Sequence, residues 1–186
     1  MEVETTPISG LLIFKPKIFG DSRGFFLETY NHDRYRDAGL QESFVQDNMS
    51  YSQKGVLRGL HFQKPYTQGK LVSVVQGQVW DVAVDLRKSS TTFGKWFGLY
   101  LDGESKIQFY VPPGFAHGFV VTSDTALFSY KCTDTYHPEC ESSLLWNDPD
   151  VGIRWPKIDG VEMPQLSNKD AQAPRLKDIS SDRLFP

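Results

Sequence analysis

With 186 residues, 39% of them hydrophobic and 23% charged, the chain can bury one substantial core, and its composition excludes a disordered protein. A net charge of −3 without any block of Lys and Arg argues against a nucleic-acid partner, and the lack of an apolar run of about 18 residues argues against a membrane partner. The length predicts a single domain over residues 1–186. The acidic N-terminus and the presence of only two cysteines predict a cytoplasmic protein with reduced thiols.

Short runs rich in Val, Phe, Tyr and Trp, separated by turn residues, predict a chain made mostly of antiparallel strands. One short helix is predicted over residues 32–38, with Asn31 as its N-cap and Gly39 as its stop. Because closure would hide the edges of so many strands, we predict an all-β barrel or sandwich with short helical decorations. The candidate strands in chain order cover residues 11–14, 24–29, 56–63, 71–75, 78–85, 95–101, 106–111, 117–121 and 125–132.

The two-residue period of a strand indicates which side chains share a face. In residues 56–63 it places His61 and Gln63 on one face and Arg58 on the other, unless a bulge shifts the count. The same period puts His117 and Tyr130 on the faces that carry large apolar side chains in their own strands. A barrel interior could therefore bring together His61, His117 and Tyr130.

Histidines inside a small β-barrel first suggest a metal site, where His and carboxylate ligands converge. The spacing does not favour one, because Gln63 occupies the second position of a possible His-x-His pair and no nearby Glu completes a triad. A metal-free histidine suits general-base catalysis, since its unperturbed pKa of about 6.5 lies close to neutrality. The residues alone leave His61 as either a base or a core histidine bonded to a carbonyl group.

Three further residues add weight to acid–base chemistry at His61. Lys70 and Arg58 could stabilise the charge that collects on oxygen when a carbanion forms beside a carbonyl group. Tyr130 could supply the acid, although a barrel tyrosine is more often bonded to backbone. The pattern favours an enzyme that shifts a proton on a carbon of a small anionic substrate.

A more specific signal comes from several stretches that follow the order of one known family: residues 21–29, 45–48, 56–63, 68–72, 112–119, 130–136 and 166–170. Through them the chain resembles the dTDP-4-dehydrorhamnose 3,5-epimerases, which are metal-free cupin enzymes of dTDP-L-rhamnose synthesis. The resemblance implies a cupin-type jelly-roll barrel, usually a homodimer. It also implies inversion of C3 and C5 of dTDP-4-dehydro-6-deoxy-D-glucose, without a cofactor, to give dTDP-4-dehydro-L-rhamnose.

The resemblance assigns roles residue by residue. His61 matches the proton acceptor, Asp170 the carboxylate that orients it, and Tyr130 the proton donor. Lys70 matches the cation that holds the developing enolate. The positions that bind the sugar, the diphosphate or the nucleotide are matched by Arg23, Phe26, Glu28, Gln46, Asp47, Asn48, Arg58, His117, Glu141 and Lys169, and the position that stacks on thymine is matched by Tyr136.

The assigned roles are chemically consistent with one another. A 4-keto group acidifies the hydrogens on both neighbouring carbons, C3 and C5, so one base and one cation can serve two sites in turn. Inversion requires proton removal on one face and return on the other, which His61 and Tyr130 could perform from opposite walls of a barrel. Arginine suits a diphosphate because of its bidentate fork, and thymine needs a flat apolar partner.

Other interpretations remain open from the sequence. Ser167 and Asp170 could form a capping box at a helix start, and Arg23-Gly24 could be an ordinary turn. A related enzyme that inverts only C3 or C5, or that moves the ketone between C3 and C4, would share the fold and much of the site. A cupin that binds a nucleotide sugar without turnover represents a third class.

Overall fold

The computed structural model describes residues 1–186, and β-strands dominate it. The first half contains β1 (Glu2–Thr5), β2 (Leu12–Lys15), β3 (Phe19–Asp21), β4 (Gly24–Phe26), helix α1 (His32–Asp37), β5 (Gln46–Gln53), β6 (Leu57–Gln63), β7 (Lys70–Gln76) and β8 (Gln78–Asp85). The second half contains β9 (Trp96–Asp102), β10 (Gln108–Val111), β11 (Phe115–Val121), β12 (Thr125–Cys132), β13 (Glu141–Ser143) and helix α2 (Asn168–Ala171). Two short 3₁₀ helices cover Pro138–Cys140 and Leu176–Asp178.

Two antiparallel sheets face each other across the main core. The first has six strands in the order β1-β2-β10-β7-β12-β5, and the second has five in the order β13-β6-β11-β8-β9. Phe109 and Phe128 from the first sheet meet Ala83 and Phe119 from the second in one buried cluster. Strands β3 and β4 form a separate hairpin. The prediction of an all-β, cupin-type jelly-roll barrel with short helical decorations is confirmed.

A second apolar cluster covers the outer face of the five-stranded sheet. Leu60 on β6 and Val82 on β8 pack there against Leu144 and the C-terminal residues Leu184 and Phe185. Successive residues of a strand point to opposite faces of the sheet. Alternate side chains of β6 and β8 therefore pack in this outer cluster, and the side chains between them face the barrel interior.

The predicted helix is confirmed with a boundary difference of one residue. It begins at His32, where Asn31 Oδ1 accepts a hydrogen bond from Arg34 N at 3.2 Å, and it ends at Asp37. Gly39 follows with a φ of +105°, as expected for a glycine that stops a helix. None of the helices has the length and apolar character needed to cross a membrane.

The sequence prediction omits four strands, and all four lie at the margins of the sheets. Strands β1 and β5 form the two edges of the six-stranded sheet, β13 is an edge of the five-stranded sheet, and β3 belongs to the hairpin. An edge strand buries fewer side chains, so its residues carry a weaker apolar signal. The predicted strand over residues 24–29 is also shorter than expected, because β4 ends at Phe26.

Because of a bulge in β6, the Arg58 side chain lies on the other face of the strand from the one predicted. Opposite β11, His61 pairs with His117 and Arg58 pairs with Phe119, so β6 takes three steps where β11 takes two. The extra residue reverses the alternation, and Arg58 and His61 line the same cavity. The prediction that Arg58 lies on the face opposite His61 is therefore wrong.

Gly59 makes this bulge possible. Its φ of +116° lies in a region that residues with side chains rarely adopt. A Cβ atom at this position would lie 2.6 Å from Gly118 Cα and 2.7 Å from the His117 carbonyl oxygen. The two glycines thus let β6 and β11 approach closely at the point where His61 and His117 stand opposite each other.

Candidate active site

A cavity of about 520 Å³ opens between the two sheets. His61 and His117 reach it from the five-stranded sheet, and Lys70 and Tyr130 reach it from the six-stranded sheet. The predicted meeting of His61, His117 and Tyr130 is confirmed. The other polar residues of the lining are Ser50, Arg58, Gln165, Ser167, Lys169 and Asp170.

His61 and Asp170 form a hydrogen-bonded pair at one wall of this cavity. Nε2 of His61 lies 2.6 Å from Oδ1 of Asp170, which is almost fully buried. Burial raises the pKa of the Asp170 carboxyl, but the hydrogen bond to His61, with further bonds from Ser167 and Gly59, outweighs burial and brings the pKa below its usual value. The ionised carboxylate holds a hydrogen on Nε2, so Nδ1 of His61 is the nitrogen that can accept a proton. His61 therefore bonds to a carboxylate rather than to a backbone carbonyl group.

Two interpretations of Ser167 and Asp170 are open from the sequence, a helix cap and a carboxylate that orients His61, and the structure shows features of both. Ser167 Oγ accepts a hydrogen bond from Asp170 N at 3.1 Å and caps helix α2. In a full capping box the acidic side chain would return to the backbone N–H of the cap residue. Here the Asp170 carboxylate reaches across to His61 and to Gly59 N, the latter at 3.4 Å. The cap thus begins the short helix that presents Asp170 to His61.

Lys70 and Tyr130 approach the cavity with polar ends that bond to no protein group. The Lys70 ammonium group and the Tyr130 hydroxyl group are both accessible from the cavity. Burial lowers the pKa of Lys70, while Cys132 and Glu141 act in the opposite direction. Burial raises the pKa of Tyr130, and Cys132 raises it further. Tyr130 is thus a protonated hydroxyl facing the cavity, and not a barrel tyrosine bonded to backbone.

Arg58 and His117 flank His61 on the same sheet. Arg58 Nε donates to Ser52 Oγ at 3.0 Å, and its terminal guanidinium nitrogens make no bond to the protein. Nε2 of His117 lies 2.9 Å and 3.0 Å from the two carboxylate oxygens of Asp81. The sequence prediction omits Asp81, although a charged residue inside the apolar run 79–84 is itself a signal, because charged groups are rarely buried without a partner.

A smaller cavity of about 270 Å³ adjoins the first at Tyr130. Gln46 Nε2 donates to Asn48 Oδ1 at 3.0 Å, and Gln46 Oε1 accepts from Tyr136 N at 2.9 Å. The hydroxyl of Tyr136 donates to Glu141 Oε2 at 2.7 Å. Four predicted nucleotide-binding residues therefore form one connected network beside the main cavity.

Glu141 links this network to His61. Its Oε2 lies 2.5 Å from Lys169 Nζ, and its Oε1 lies 4.0 Å from His61 Nδ1. Burial raises the pKa of Glu141, but the bonds from Lys169 and Tyr136 outweigh burial and bring it below its usual value. The bond to Glu141 in turn raises the pKa of Tyr136 to about 12. Tyr136 thus offers a neutral, half-exposed ring at the edge of the site.

Asp47 lies on the opposite face of β5 from its neighbours Gln46 and Asn48. Its carboxylate is exposed and lies 2.9 Å from Lys131 Nζ. Because strand residues alternate between faces, the structure does not bring Asp47 into either cavity with its neighbours.

Arg23, Phe26 and Glu28 lie on or beside the β3–β4 hairpin and line neither cavity. Arg23 Nη2 pairs with Asp21 Oδ2 at 2.6 Å, and the Phe26 ring is 70% exposed. Glu28 Oε1 accepts from Arg34 Nη1 at 3.2 Å. A single chain does not bring these three residues to the other candidate residues, and their roles remain predictions.

Gln63, which interrupts the His-x-His pattern, is buried beside the cavity rather than in it. Its Nε2 donates to the carbonyl oxygens of Tyr66 and Thr135, and its Oε1 accepts from His137 N at 2.8 Å. These bonds hold both neighbours of Tyr136. The role of Gln63 is therefore to fix the segment that carries the predicted thymine-stacking ring.

Comparisons with known proteins agree with this site. A family model described as dTDP-4-dehydrorhamnose 3,5-epimerase matches residues 5–178. The chain is 53% identical to the dTDP-4-dehydrorhamnose 3,5-epimerase of Salmonella typhimurium over 178 residues, which cover 95% of this chain and 96% of the relative.

Two solved structures extend the comparison to the fold. A dTDP-6-deoxy-D-glucose-3,5-epimerase from Legionella pneumophila, in complex with dTDP-4-keto-L-rhamnose, is 54% identical with a TM-score of 0.95 and covers 99% of this chain and 97% of that one. A 3′-monoepimerase from Streptomyces bikiniensis, in complex with dTDP-quinovose, is 35% identical with a TM-score of 0.85 and covers 92% of this chain and 86% of that one. The resemblance carried by the sequence motifs is thus confirmed, and the chain belongs to the dTDP-4-dehydrorhamnose 3,5-epimerase family.

Proposed function

We propose that the protein inverts both C3 and C5 of dTDP-4-dehydro-6-deoxy-D-glucose, giving dTDP-4-dehydro-L-rhamnose for dTDP-L-rhamnose biosynthesis, without a metal or other cofactor. The observation that carries this proposal is the placement of a base and an acid on facing sheets. His61, backed by Asp170 at 2.6 Å, belongs to one sheet, and Tyr130 belongs to the other. Inversion at carbon requires proton removal and proton return from opposite sides.

Each inversion is an isomerisation in which one proton leaves the carbon and one returns. Nδ1 of His61 removes the hydrogen beside the 4-keto group, and the electron pair of that C–H bond forms the double bond of an enolate while the carbonyl pair moves to O4. The ammonium group of Lys70 stabilises the charge on O4. Tyr130 then gives a proton to the opposite face of the carbon, and the carbonyl group re-forms. Water returns His61 and Tyr130 to their starting protonation states.

The nucleotide end of the substrate fits the remaining groups. Arg58 has terminal guanidinium nitrogens without a protein partner, which suits it to bind a diphosphate oxygen. Lys169 lines the same cavity as Arg58 and forms a charged pair with Glu141, and Tyr136 offers a flat ring to thymine. The residues proposed to bind the substrate thus line both the cavity that holds His61 and the adjoining cavity, and Tyr130 lines the two.

An epimerase that inverts a single carbon is the second candidate. The similarity of the fold to the 3′-monoepimerase of Streptomyces bikiniensis favours it. The base, acid and cation that serve two carbons are also sufficient for one, because the way the sugar ring is presented decides which hydrogen His61 meets.

The configuration of the product distinguishes these candidates. We expect proton NMR of an incubation with dTDP-4-dehydro-6-deoxy-D-glucose to show dTDP-4-dehydro-L-rhamnose, inverted at C3 and at C5. A product inverted at one carbon would favour the mono-epimerase, and a ketone moved to C3 would indicate a ketoisomerase. Unchanged substrate that nevertheless binds would indicate a binding protein.

Tyr130→Phe separates proton removal from proton return. The rate of inversion should fall about 10²- to 10³-fold, because the general acid is lost while the ring is kept. His61 and Lys70 remain, so substrate recovered from deuterated water should carry deuterium without a change of configuration. NMR of the recovered substrate measures both quantities. Inversion at the rate of the unmodified protein, or a loss of exchange in parallel with inversion, would contradict the role of Tyr130.

We also propose a cytoplasmic homodimer in which the β3–β4 hairpin of one copy reaches the cavity of the other. The hairpin exposes Phe25 and Phe26, and edge strand β5 exposes Met49 and Tyr51, as interface residues commonly are in an isolated chain. Both cysteines are free, which fits a reducing compartment. Sedimentation should give the mass of two 21.2 kDa chains, and the mass of one chain would contradict the dimer.

A further inference from the structure

A second histidine–carboxylate pair lies beside the one formed by His61 and Asp170. His117 and His61 stand directly opposite each other in the β6–β11 ladder. Nε2 of His117 lies 2.9 Å and 3.0 Å from the two oxygens of Asp81, which is on the neighbouring strand β8. Two imidazole rings therefore stand side by side in the cavity lining, and each has a buried carboxylate behind it.

The surroundings of Asp81 are unfavourable for a group with a purely structural role. The residue is fully buried, and His117 is the only side chain that bonds its carboxylate. Removing a carboxylate from water is costly, and a single buried ion pair often fails to offset that cost. Burial raises the pKa of Asp81, and the opposing influence of His117 does not restore its usual value. The stability of the fold therefore does not explain this carboxylate.

We propose that Asp81 is a positioning residue that accepts the Nε2 hydrogen of His117 and so leaves Nδ1 of that ring as the nitrogen available to the substrate. His117 lines the cavity. Its Nδ1 atom bonds to no protein group and is not buried without access. A carboxylate behind one imidazole nitrogen fixes both the tautomer and the orientation of the ring. The inference rests on the proposed epimerase function, because the sugar nucleotide is the ligand that Nδ1 meets.

Asp85 provides a matched comparison on the same strand. It is also fully buried, but its carboxylate accepts hydrogen bonds from Arg87, Ser90 and Thr92 in the turn that follows β8. Burial raises the pKa of Asp85, but these bonds outweigh burial and bring it below its usual value. Asp85 thus stabilises a turn outside the cavity lining, whereas Asp81 bonds only a histidine.

Substitution of the two carboxylates by amides should have opposite effects. In Asp81→Asn the amide can donate as well as accept, so the tautomer of His117 is no longer fixed. We expect kcat/KM to fall about 10- to 100-fold, the scale of loss when the hydrogen-bond partner that orients a metal-ligating histidine is removed, with no loss of thermal stability. Asp85→Asn should lower the melting temperature and leave kcat/KM unchanged. An Asp81→Asn variant as active as the unmodified protein, or one whose loss of activity follows a loss of thermal stability, would overturn the proposal.

A double-mutant cycle with His117→Asn tests whether Asp81 acts through His117. Residues that act as one unit give non-additive losses. The double variant should therefore be no slower than His117→Asn alone. Losses that multiply would show that Asp81 acts independently of His117 and would overturn the proposal.

The tautomer of His117 can be measured in the unmodified protein without substrate, so this test does not require any Asp81 variant to fold. In nitrogen-15 NMR of histidine-labelled protein, with His117→Asn to assign the signal, we expect a hydrogen on Nε2. A ring with its hydrogen on Nδ1 alone would overturn the inference while leaving the epimerase proposal intact. If the unmodified protein turns over no sugar nucleotide, the proposed function fails, and this role of Asp81 fails with it.

Discussion

His61→Ala should abolish hydrogen exchange at both C3 and C5 of the sugar while leaving the affinity for dTDP nearly unchanged. The substitution removes the base that serves both carbons, and a general base contributes up to about 10⁴-fold to a rate. The predicted nucleotide contacts, Gln46, Asn48 and Tyr136, line the adjoining cavity, and none of them hydrogen-bonds to His61. Deuterium incorporation measures the exchange, and calorimetric titration with dTDP measures the affinity.

His32→Ala is a suitable control for this substitution. His32 is an exposed residue at the start of α1 and lines neither cavity. The control should exchange hydrogen at the rate of the unmodified protein. If His61→Ala retained exchange at either carbon, the base for that carbon would be misassigned.

Asp170→Asn should reduce kcat by about 10⁴-fold, the scale of loss when the aspartate behind the histidine of a Ser-His-Asp triad becomes an amide. The amide can donate a hydrogen bond to Nε2 of His61, which would place the ring hydrogen on Nδ1 and block proton removal. The affinity for dTDP should remain nearly unchanged, because Asp170 lies outside the smaller cavity. Activity within a few-fold of the unmodified protein would show that His61 needs no carboxylate behind it.

The same substitution should change stability in a pH-dependent way. The pKa of Asp170 is lower in the folded protein than its usual value, so its ionised form stabilises the fold at pH values above about 4. This contribution is lost as the pH falls through the lower pKa of the folded state. The melting-temperature advantage of the unmodified protein over Asp170→Asn should therefore be full at pH 7 and shrink in acid. An advantage that grows on acidification would contradict the pKa assignment.

The sequence was sufficient to predict the central strands and to predict that three of their polar side chains meet in the barrel interior. His117 and Tyr130 carry polar groups on strand faces that are otherwise apolar, and the two-residue period placed both in the interior with His61. The period failed for Arg58 because Gly59 inserts an extra residue into β6. The glycine was visible in the sequence, but the close approach of Gly118 that requires it was not.

Other parts of the site depend on contacts between residues that are distant in the chain. Asp170 follows His61 by more than a hundred residues, and the local pattern around Ser167 predicted only a helix cap. That cap exists, but the Asp170 carboxylate bonds to His61, which only the resemblance anticipated. Local sequence patterns also could not predict a place for Arg23 and Phe26 in the site, because the hairpin that carries them does not line the cavity of its own chain.

The most direct test of the account is to incubate the protein with dTDP-4-dehydro-6-deoxy-D-glucose in deuterated water and to count deuterium at each carbon of the product. Because His61 removes a proton at both carbons and solvent-derived deuterons replace them, the account predicts one deuterium at C3 and one at C5, together with inversion at both. Label and inversion at a single carbon, or no label at all, would contradict it.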